Sequence, residues 1–587
     1  MPDIEFGQLQ ADLPTYQNTG AIKVDNVIPL SKGYRSFPSF AALSGTGLNT
    51  TPVGLFTSFS DGGSTNYAGD ETKLYQMDTS LVFQDKSKAG GYSNSTTEGS
   101  RDFWAFTQFG KNIIATNHAD YIQKFEQGAD SLFSDLTDFK AKYLAVVRDF
   151  VVTGFTTEYE TAKTFDSNTI SSNQITITSH GWATGDTVIY DRNGNTALTN
   201  LTDGSTYYVI YVAANTIKLA TTSANATAGT AITLTATGGS QTHKLQKFDV
   251  NNQRVKWSGI NDSSTWTPSQ TTQSGYQDIV GVHGSVQAIV GGESFGVVFL
   301  ERAIYRMDYV GTPLKFQFTK IADNIGAFAP RSVCSFGNMI FFLAQDGIYK
   351  LEGGQQLTPI GKGRIDDFLM KDITSNLEGI SSAIDPNNSL AVWSYRGANA
   401  TGLPTSTVNN RLLCYNFNVD RFATGSGQSL EFIATASQEA FNTLESLDVL
   451  GELEGLPYSL DSYAYGDNIV GLSAFNADKK FGKFLGSSLD ATVDSTEFEG
   501  AKNRRSTLLG ARPIVDADGN DTTITVTPIT RPSQADRITI GSAVTSLDNG
   551  NCPLRSSSRY HRLRVKVSGN FLTMSGIDVQ ARPEGMR

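Results

Sequence analysis

The sequence predicts a mostly-β chain: a degenerate β-propeller with a small β-domain inserted in it and a β-sandwich-like domain at its C-terminal end. Three observations lead there. Glycine numbers 56, tyrosine and phenylalanine number 22 and 34, and only 18% of residues are charged. That mixture suits many short strands joined by tight turns. A loose unit recurs at spacings of roughly 40–60 residues: an apolar run, a polar turn, a short strand ending in tyrosine and a polar residue, and another turn. Helical periodicity is confined to two short segments, and at 587 residues the chain is long enough for several cores.

Residues 1–50 read as an extended arm, because "NVIPLSKGYRSFPSF" carries Pro29 and Pro38 and has little periodicity. The repeating unit follows in "ETKLYQMDTSLVFQD" and "KNIIATNHADYIQKFEQG". It returns in "FLERAIYRMDYVGTPLKFQF", "MIFFLAQDGIYKLEGGQQLTPIG" and "NRLLCYNFNVDRFAT". Each offers strands with Gly, Asp or Asn at the corners, as propeller blades do. No Trp-Asp blade signature occurs, and an array of β-sandwiches would satisfy the same pattern. The rhythm breaks over 164–246, which is rich in Thr, Ser, Asn and Gly yet alternates its apolar residues, the mark of a polar β-domain rather than disorder. Its flanks, "FVVTGFTTEYE" and "QKFDVNNQRVKW", read as one blade interrupted at a loop tip. Ile365, Phe368, Leu369 and Ile373 space one short amphipathic helix, and "SQEAFNTLESLDVLGELEGL" suggests a second. Near the end, "RPIVDADGNDTTITVTPITRP" reads as two strands about a hairpin turn, and "RSSSRYHRLRVKVSGNFLTMSGIDVQARPEG" as two strands parted by Gly569. The chain thus divides into an arm (1–50), a first propeller part (51–163), the inserted β-domain (164–246), a second propeller part (247–489) and a C-terminal β-domain (490–587).

Charge and motifs bound the chemistry. The net charge is −11 and the pI about 5.1, which argues against gripping DNA by its phosphates but suits a surface along which DNA slides. Cys334, Cys414 and Cys552 lie far apart and form no C-x-x-C pair, and His118, His180, His243, His283 and His561 are scattered, so neither a disulfide framework, a metal nor a cofactor is expected. "GESFG" at 292–296 matches the nucleophile elbow G-x-S-x-G, but strand-like sequence follows it where a helix is needed, so Ser294 reads as a turn residue. "DADGND" lacks the remaining ligands of a calcium loop, and "GKGR" lacks the first Gly and the final Ser or Thr of a P-loop. No catalytic residue is assigned, and the chain is expected not to be an enzyme. The opening "MPDIEFGQLQADLPTYQNTG" has no apolar h-region and no run is long enough to span a bilayer, so synthesis in the cytoplasm without membrane insertion is expected. The strongest positive cluster is one strand: Arg562, Arg564 and Lys566 alternate with Leu563, Val565 and Val567, with Arg559 just before. It reads as a solvated face, as a contact for an acidic neighbouring subunit or, third, as a DNA contact.

"RVKWSGINDSSTW" at 254–266 resembles a segment of the tail hub proteins of short-tailed bacteriophages, also called nozzle or packaged-DNA stabilisation proteins. "GYRSFPSF", "AIYRMDYVG", "IADNIGAFAPRSVCSFGNMIFFLAQDGIYKLEGG", "PIGKGRIDDFL" and "RYHRLRVKVSGNFLTMSGIDVQ" are similar to that family in the same order. Together they span most of the chain outside 164–246, and the specificity lies in their order, since none is a catalytic fingerprint. The resemblance implies a virion protein of the viral tail: a propeller with an attached β-domain, assembled as a homo-hexamer below the portal and an adaptor protein. Such a ring extends the channel, helps retain packaged double-stranded DNA, conducts it during ejection without reading its sequence, and carries fibres or spikes. The alternative is a receptor- or glycan-binding propeller of a phage tail, suggested by Tyr and Trp on turns. A propeller hydrolase is the third reading, disfavoured by the missing acid–base constellation. Trp257 and Trp266 are expected to pack between strands of a blade while Asn261 and Asp262 make the turn.

Overall fold

The computed structural model describes residues 4–16, 18–60, 63–97, 101–236, 239–374, 377–397, 408–437, 470–502, 504–517 and 521–584. The core among these described residues is a β-propeller of seven four-stranded antiparallel blades. Blades 1 and 2 are residues 52–85 and 105–135, and blade 3 is built from 140–159 and 248–278. Blades 4 and 5 are 286–323 and 334–359. Blade 6 is Ser381–Asp385, Leu390–Tyr395, Asn409–Asn416 and the first half of the strand Arg421–Ala436, whose second half starts blade 7. The strands Gly471–Asn476 and Phe481–Ser488 continue blade 7, and Pro38–Ala42 completes it from the other end of the chain.

Apolar side chains close the ring between each pair of neighbours. Val53, Tyr67 and Leu74 meet Trp104, Ile113 and Phe125 between blades 1 and 2. Ile114 and Ile122 meet Ala141, Leu144 and Val151 between 2 and 3. Val152 and Val255 face Val286 and Val298; Val297 and Phe299 face Ile340 and Phe342; Phe341 and Ile348 face Trp393 and Tyr415. Val392 and Leu412 face Ile433 and Leu472. Phe475 and Phe481 return to Leu55, Ala68 and Tyr75 of blade 1. Because both faces of each sheet are covered, the strands read as apolar runs more than as strict alternation. Trp104 is seated against blade 1 because two glycines leave it room: a Cβ on Gly54 or Gly69 would stand 2.6 or 2.2 Å from its atoms.

The two tryptophans of "RVKWSGINDSSTW" lie on opposite sides of blade 3. Trp257 is buried against blade 4 and Trp266 against blade 2. Their indole N–H groups donate to the carbonyls of Gln273 and Ser263, each a partner that a buried indole requires. Asn261 holds a positive φ of 54°, and the Asp262 carboxylate accepts from the backbone N–H of Ser264, so the turn is as expected. Arg254 pairs with Asp278 at 2.7 Å and with Glu158 at 3.1 Å, so this segment is a scaffold turn rather than a cationic patch.

Blade 3 also carries the insert. The blade's hairpin pairs Tyr159 with Phe248, and the same two chain segments continue outward to pair Thr164 with Lys244. Beyond that point the insert has its own core of Ile175, Val188, Tyr190, Val209, Ile217, Leu219 and Leu245. The sixteen-residue strand Thr242–Trp257 therefore serves the insert with one half and the blade with the other. Lys247 marks the root, pairing with Asp186 at 3.3 Å and Glu160 at 3.5 Å.

Two sheets near the C-terminal end pack as a sandwich. Val493, Leu563, Val565 and Val526 of one face Leu508, Ala511, Met574 and Ile577 of the other. Two sequence readings need correction here. The strands either side of "DADGND", Ser506–Ala517 and Thr523–Arg531, lie in different sheets, so this link is an arch between sheets and no hairpin; residues 518–520 themselves lie outside the described residues. Residues 1–50 are not a separate arm. Ile4–Glu5, Val24–Asp25, Val27–Pro29 and Tyr34–Ser36 are strands of the sandwich sheets, and Pro38–Ala42 belongs to the propeller. Each strand is two to five residues long, and all but the local pair Val27–Pro29 with Tyr34–Ser36 depend on partners across most of the chain, so no local periodicity announces them. The short helix is present as Asp366–Asp372, with Ile365 and Leu369 buried and Phe368 turned outward. The second proposed helix, 437–456, lies outside the described residues except for Ser437.

Replacing residues 161–246 with a short Gly-Ser turn is expected to leave a soluble chain with little change in its thermal midpoint. Glu160 and Lys247 follow directly on a paired position, and closing a shorter loop adds no entropic cost. Circular dichroism melts of the deletion variant check this; an insoluble or non-cooperative product would make the insert integral to blade 3.

Candidate functional site: the propeller–sandwich joint and its basic strand

The sandwich is joined to the propeller by hydrogen bonds as well as by packing. Val24–Asp25 lies between the two: Asp25 pairs in parallel with Thr424 at the outer edge of blade 6, and Val24 pairs with Val493 in the sandwich. One sheet therefore runs without a break from blade 6 into the sandwich. The Asp25 carboxylate accepts from the hydroxyls of Thr424 at 3.0 Å and Ser426 at 2.7 Å. Asn26, at a φ of 60°, donates its amide to the Asp490 carbonyl and accepts from the Ser426 N–H. Arg421 donates to the carbonyls of Leu30 and Phe6 and to the Tyr34 hydroxyl, fixing the N-terminal segment to blade 6 at three points.

A second clamp lies beside blade 5. The helix Asp366–Asp372 has no capping side chain of its own. Asp12 supplies one from the N-terminal segment, its carboxylate accepting from the N–H groups of Asp367 at 3.1 Å and Phe368 at 2.8 Å, where an anion also meets the positive end of the helix. Asp366 is wedged between Gly347 and Gly361, where any Cβ would collide with its carboxylate, and accepts from the Ile348 N–H. Burial, opposed by that hydrogen bond and reinforced by Asp12 and Asp346, raises its pKa to about 6.

The basic strand Tyr560–Ser568 runs through the middle of the sandwich, and the structure corrects its reading. Its cations do not form a free face. Arg564 makes two bonds to Asp494, of 2.6 and 3.0 Å, and Arg562 approaches the same carboxylate at 3.6 Å. Lys566 pairs with Asp490 at 2.7 Å, and Arg559 with Glu499 at 3.1 Å. Spacing groups these four residues, and three do share one side of the strand. What spacing cannot reveal is the next strand: Ala491–Asp494 pairs directly with it and brings its own acids opposite. The Asp494 side chain is 0% exposed and that of Arg562 9%, so this pair is a buried structural element. Burial pulls the Arg562 pKa down while Asp494 opposes it. Arg531, which pairs with Glu497, is buried close by and stacks near Tyr560. Sequence reasoning passes over Asp25, Asp12, Arg421 and Asp494; the available signal for the last is the acid-rich stretch "DATVDSTEFE" at 490–499, far from the basic strand in sequence.

The other singled-out motifs are structural. Ser294 sits exposed in the turn between Val286–Val290 and Phe295–Leu300, with a strand on either side. "GKGR" is the turn into the helix, with Gly363 at a φ of 69°. Cys334, Cys414 and Cys552 are free thiols. Among the described residues no group of His, Cys, Asp and Glu is arranged to hold a metal ion.

No family model and no curated protein matches the chain. Among solved structures it is similar to BamB from Moraxella catarrhalis, with 8% identity over 76% of this chain and 99% of that one, at a TM-score of 0.30. It is similar to the computationally designed Ika8 protein, with 10% identity over 75% and 98%, also at 0.30. Phage phi92 endosialidase aligns at 9% identity over 77% and 70%, with a TM-score of 0.26. Likenesses this distant identify no family and assign no role.

Two outcomes follow from the joint. Asp494→Asn is expected to cost about 3–5 kcal/mol, because it leaves Arg562 buried without its counter-charge; chemical denaturation measures it. Reversing Arg562 and Arg564 to Glu should likewise unfold the sandwich rather than merely alter a surface, whereas Lys566→Glu, at an exposed pair, should cost roughly 0.2–1 kcal/mol. Asp366 sets a pH dependence of opposite sign to a salt-bridged carboxylate. Its folded pKa lies above the ordinary value, so the folded state is penalised above pH ~6 and relieved as pH falls from 6 toward 4. Asp366→Asn should therefore raise the thermal midpoint at pH 7.5 and change little at pH 4.5, as scanning calorimetry at the two pH values would show.

Proposed function

We propose that this chain is the tail hub, or nozzle, subunit of a short-tailed phage: a structural protein without enzymatic activity or cofactor. In this reading it assembles as a homo-hexamer beneath an adaptor, prolongs the portal channel, helps retain and then conducts double-stranded DNA, and supports fibres or spikes. The observation that carries the reading is where the family-like segments fall. "GYRSFPSF" supplies one sandwich strand and the strand that completes blade 7. "PIGKGRIDDFL" leads into the helix capped by Asp12, and "RYHRLRVKVSGNFLTMSGIDVQ" gives one long strand to each sandwich sheet. The other family-like segments lie in blades 3, 4 and 5, so the resemblance runs through the propeller and includes the parts that join it to the sandwich, as suits a component of a larger assembly. The net charge of −11 supports a role in which DNA passes without being gripped. Among the described residues no helix is long and apolar enough to cross a membrane.

The test is electron cryo-microscopy of tailed particles carrying a tagged copy of the chain. Six copies are expected around the tail axis immediately below the portal and adaptor. A tag found at fibre tips, or absent from particles, would replace this reading with a receptor-binding one. An esterase and glycosidase screen of the purified chain is expected to give no turnover that Ser294→Ala abolishes.

A further inference from the structure

The propeller axis holds a cavity of 420 Å³ walled by blades 1, 2, 3, 6 and 7 and by the segment entering blade 5. That volume lies within the range of small-molecule sites. Its lining differs from the rest of the chain. Arg101, Lys142 and Arg331 face it and no carboxylate among the described residues does, in a protein whose net charge is −11. The acids that orient two of these cations sit behind the wall: Glu71 holds Arg101 at 3.1 Å and Asp102 holds Lys142 at 3.5 Å. Arg101 Nε is buried without an acceptor among the described residues. The Arg331 guanidinium lies over the Phe103 ring, 3.2 Å from its centroid, and 5.4 Å from that of Phe432. Phe56 and Tyr143 extend the aromatic wall. The described lining offers no Asp, Glu, Asn or Gln, the side chains that would serve a neutral, hydroxyl-rich ligand.

We propose that this axial cavity binds a small organic anion with a flat or apolar ring, its acid group held by Arg101 and Lys142 and its ring against Phe56, Phe103 and Phe432. Cations concentrated at a low-dielectric wall attract an anion more strongly than the same charges in water, and the rings supply stacking area. An aromatic carboxylate and a nucleoside monophosphate share this chemistry. The site stands on the cavity alone and does not depend on a place in a phage tail.

The experiment is isothermal titration of the full chain with 1-naphthoate and with its neutral counterpart, naphthalene-1-methanol. One naphthoate per chain is expected, at least tenfold tighter than the alcohol and weakening as salt rises. Lys142→Met and Phe56→Leu should each weaken naphthoate at least tenfold while leaving the circular dichroism spectrum and thermal midpoint intact. Phe56→Leu keeps an apolar residue and guards against a folding defect in the charge variant. Competition by adenosine monophosphate would assign the site to nucleotides, and its absence would leave it to aromatic acids. Equal competition by N-acetylneuraminic acid, whose ring is neither flat nor apolar, would overturn the ring contact. No saturable binding, equal affinity for the alcohol, or unchanged affinity in both variants would overturn the proposal.

Discussion

The fold depends on one closure. A ring of blades is stable only if its first and last members meet, because an open ring would leave apolar faces in water and strand edges unpaired. Here blade 7 is assembled from both ends of the chain. Phe481–Ser488 cannot be its outer edge alone; Pro38–Ala42 pairs with it, and the rings of Phe37 and Phe40 pack edge-on against Phe484. The strand that begins near the N-terminus therefore completes a sheet begun roughly four hundred positions later. The entropic cost of so long a loop grows only slowly with its length, while closing it buries the whole apolar seam between blades 7 and 1.

That closure dictates the joint. To reach blade 7, residues 4–36 must cross from the sandwich past the outer edge of blade 6. They use that path to pair with both, through Val24–Asp25, and to place Asp12 at the end of the helix Asp366–Asp372. Propeller and sandwich thus share backbone hydrogen bonds rather than only a side-chain interface. A sandwich tethered by a linker would swing; this one is held to blade 6 by the two-residue strand Val24–Asp25 and by the side-chain bonds of Asp25, Asn26 and Arg421.

The sequence discloses what is local and conceals what is not. Blades 1, 2, 4 and 5 are meanders of consecutive strands, so the recurrent Tyr-bearing unit exposes them, and the turn chemistry at Asn261 and Asp262 predicts its geometry. The insert shows itself by composition, because its core is its own. The number of blades is illegible, since blades 6 and 7 share the single strand Arg421–Ala436 and blade 7 borrows Pro38–Ala42. The first fifty residues mislead because their strands, two to five residues long, are too short to carry a period. The link between Ser506–Ala517 and Thr523–Arg531 reads as a hairpin because Asp-Gly is a turn signal in sequence, and only the sheets to which the flanking strands belong correct it.

The basic strand shows why charge pattern alone misleads about partners. Alternation correctly places Arg562, Arg564 and Lys566 on one side of a strand, but a strand in mid-sheet has neighbours whose charges decide what its own can do. Ala491–Asp494 lies alongside and answers with Asp494 and Asp490, so most of the local field is neutralised inside the molecule. The axial cavity shows the converse arrangement. There Glu71 and Asp102 stand behind the wall, and Arg101 and Lys142 keep their positions while presenting cationic groups to an open space. In both places the charges are paired within the chain; the difference is geometric. A cation whose partner lies across its strand serves stability, whereas one anchored from behind and turned toward a cavity is arranged to meet a ligand.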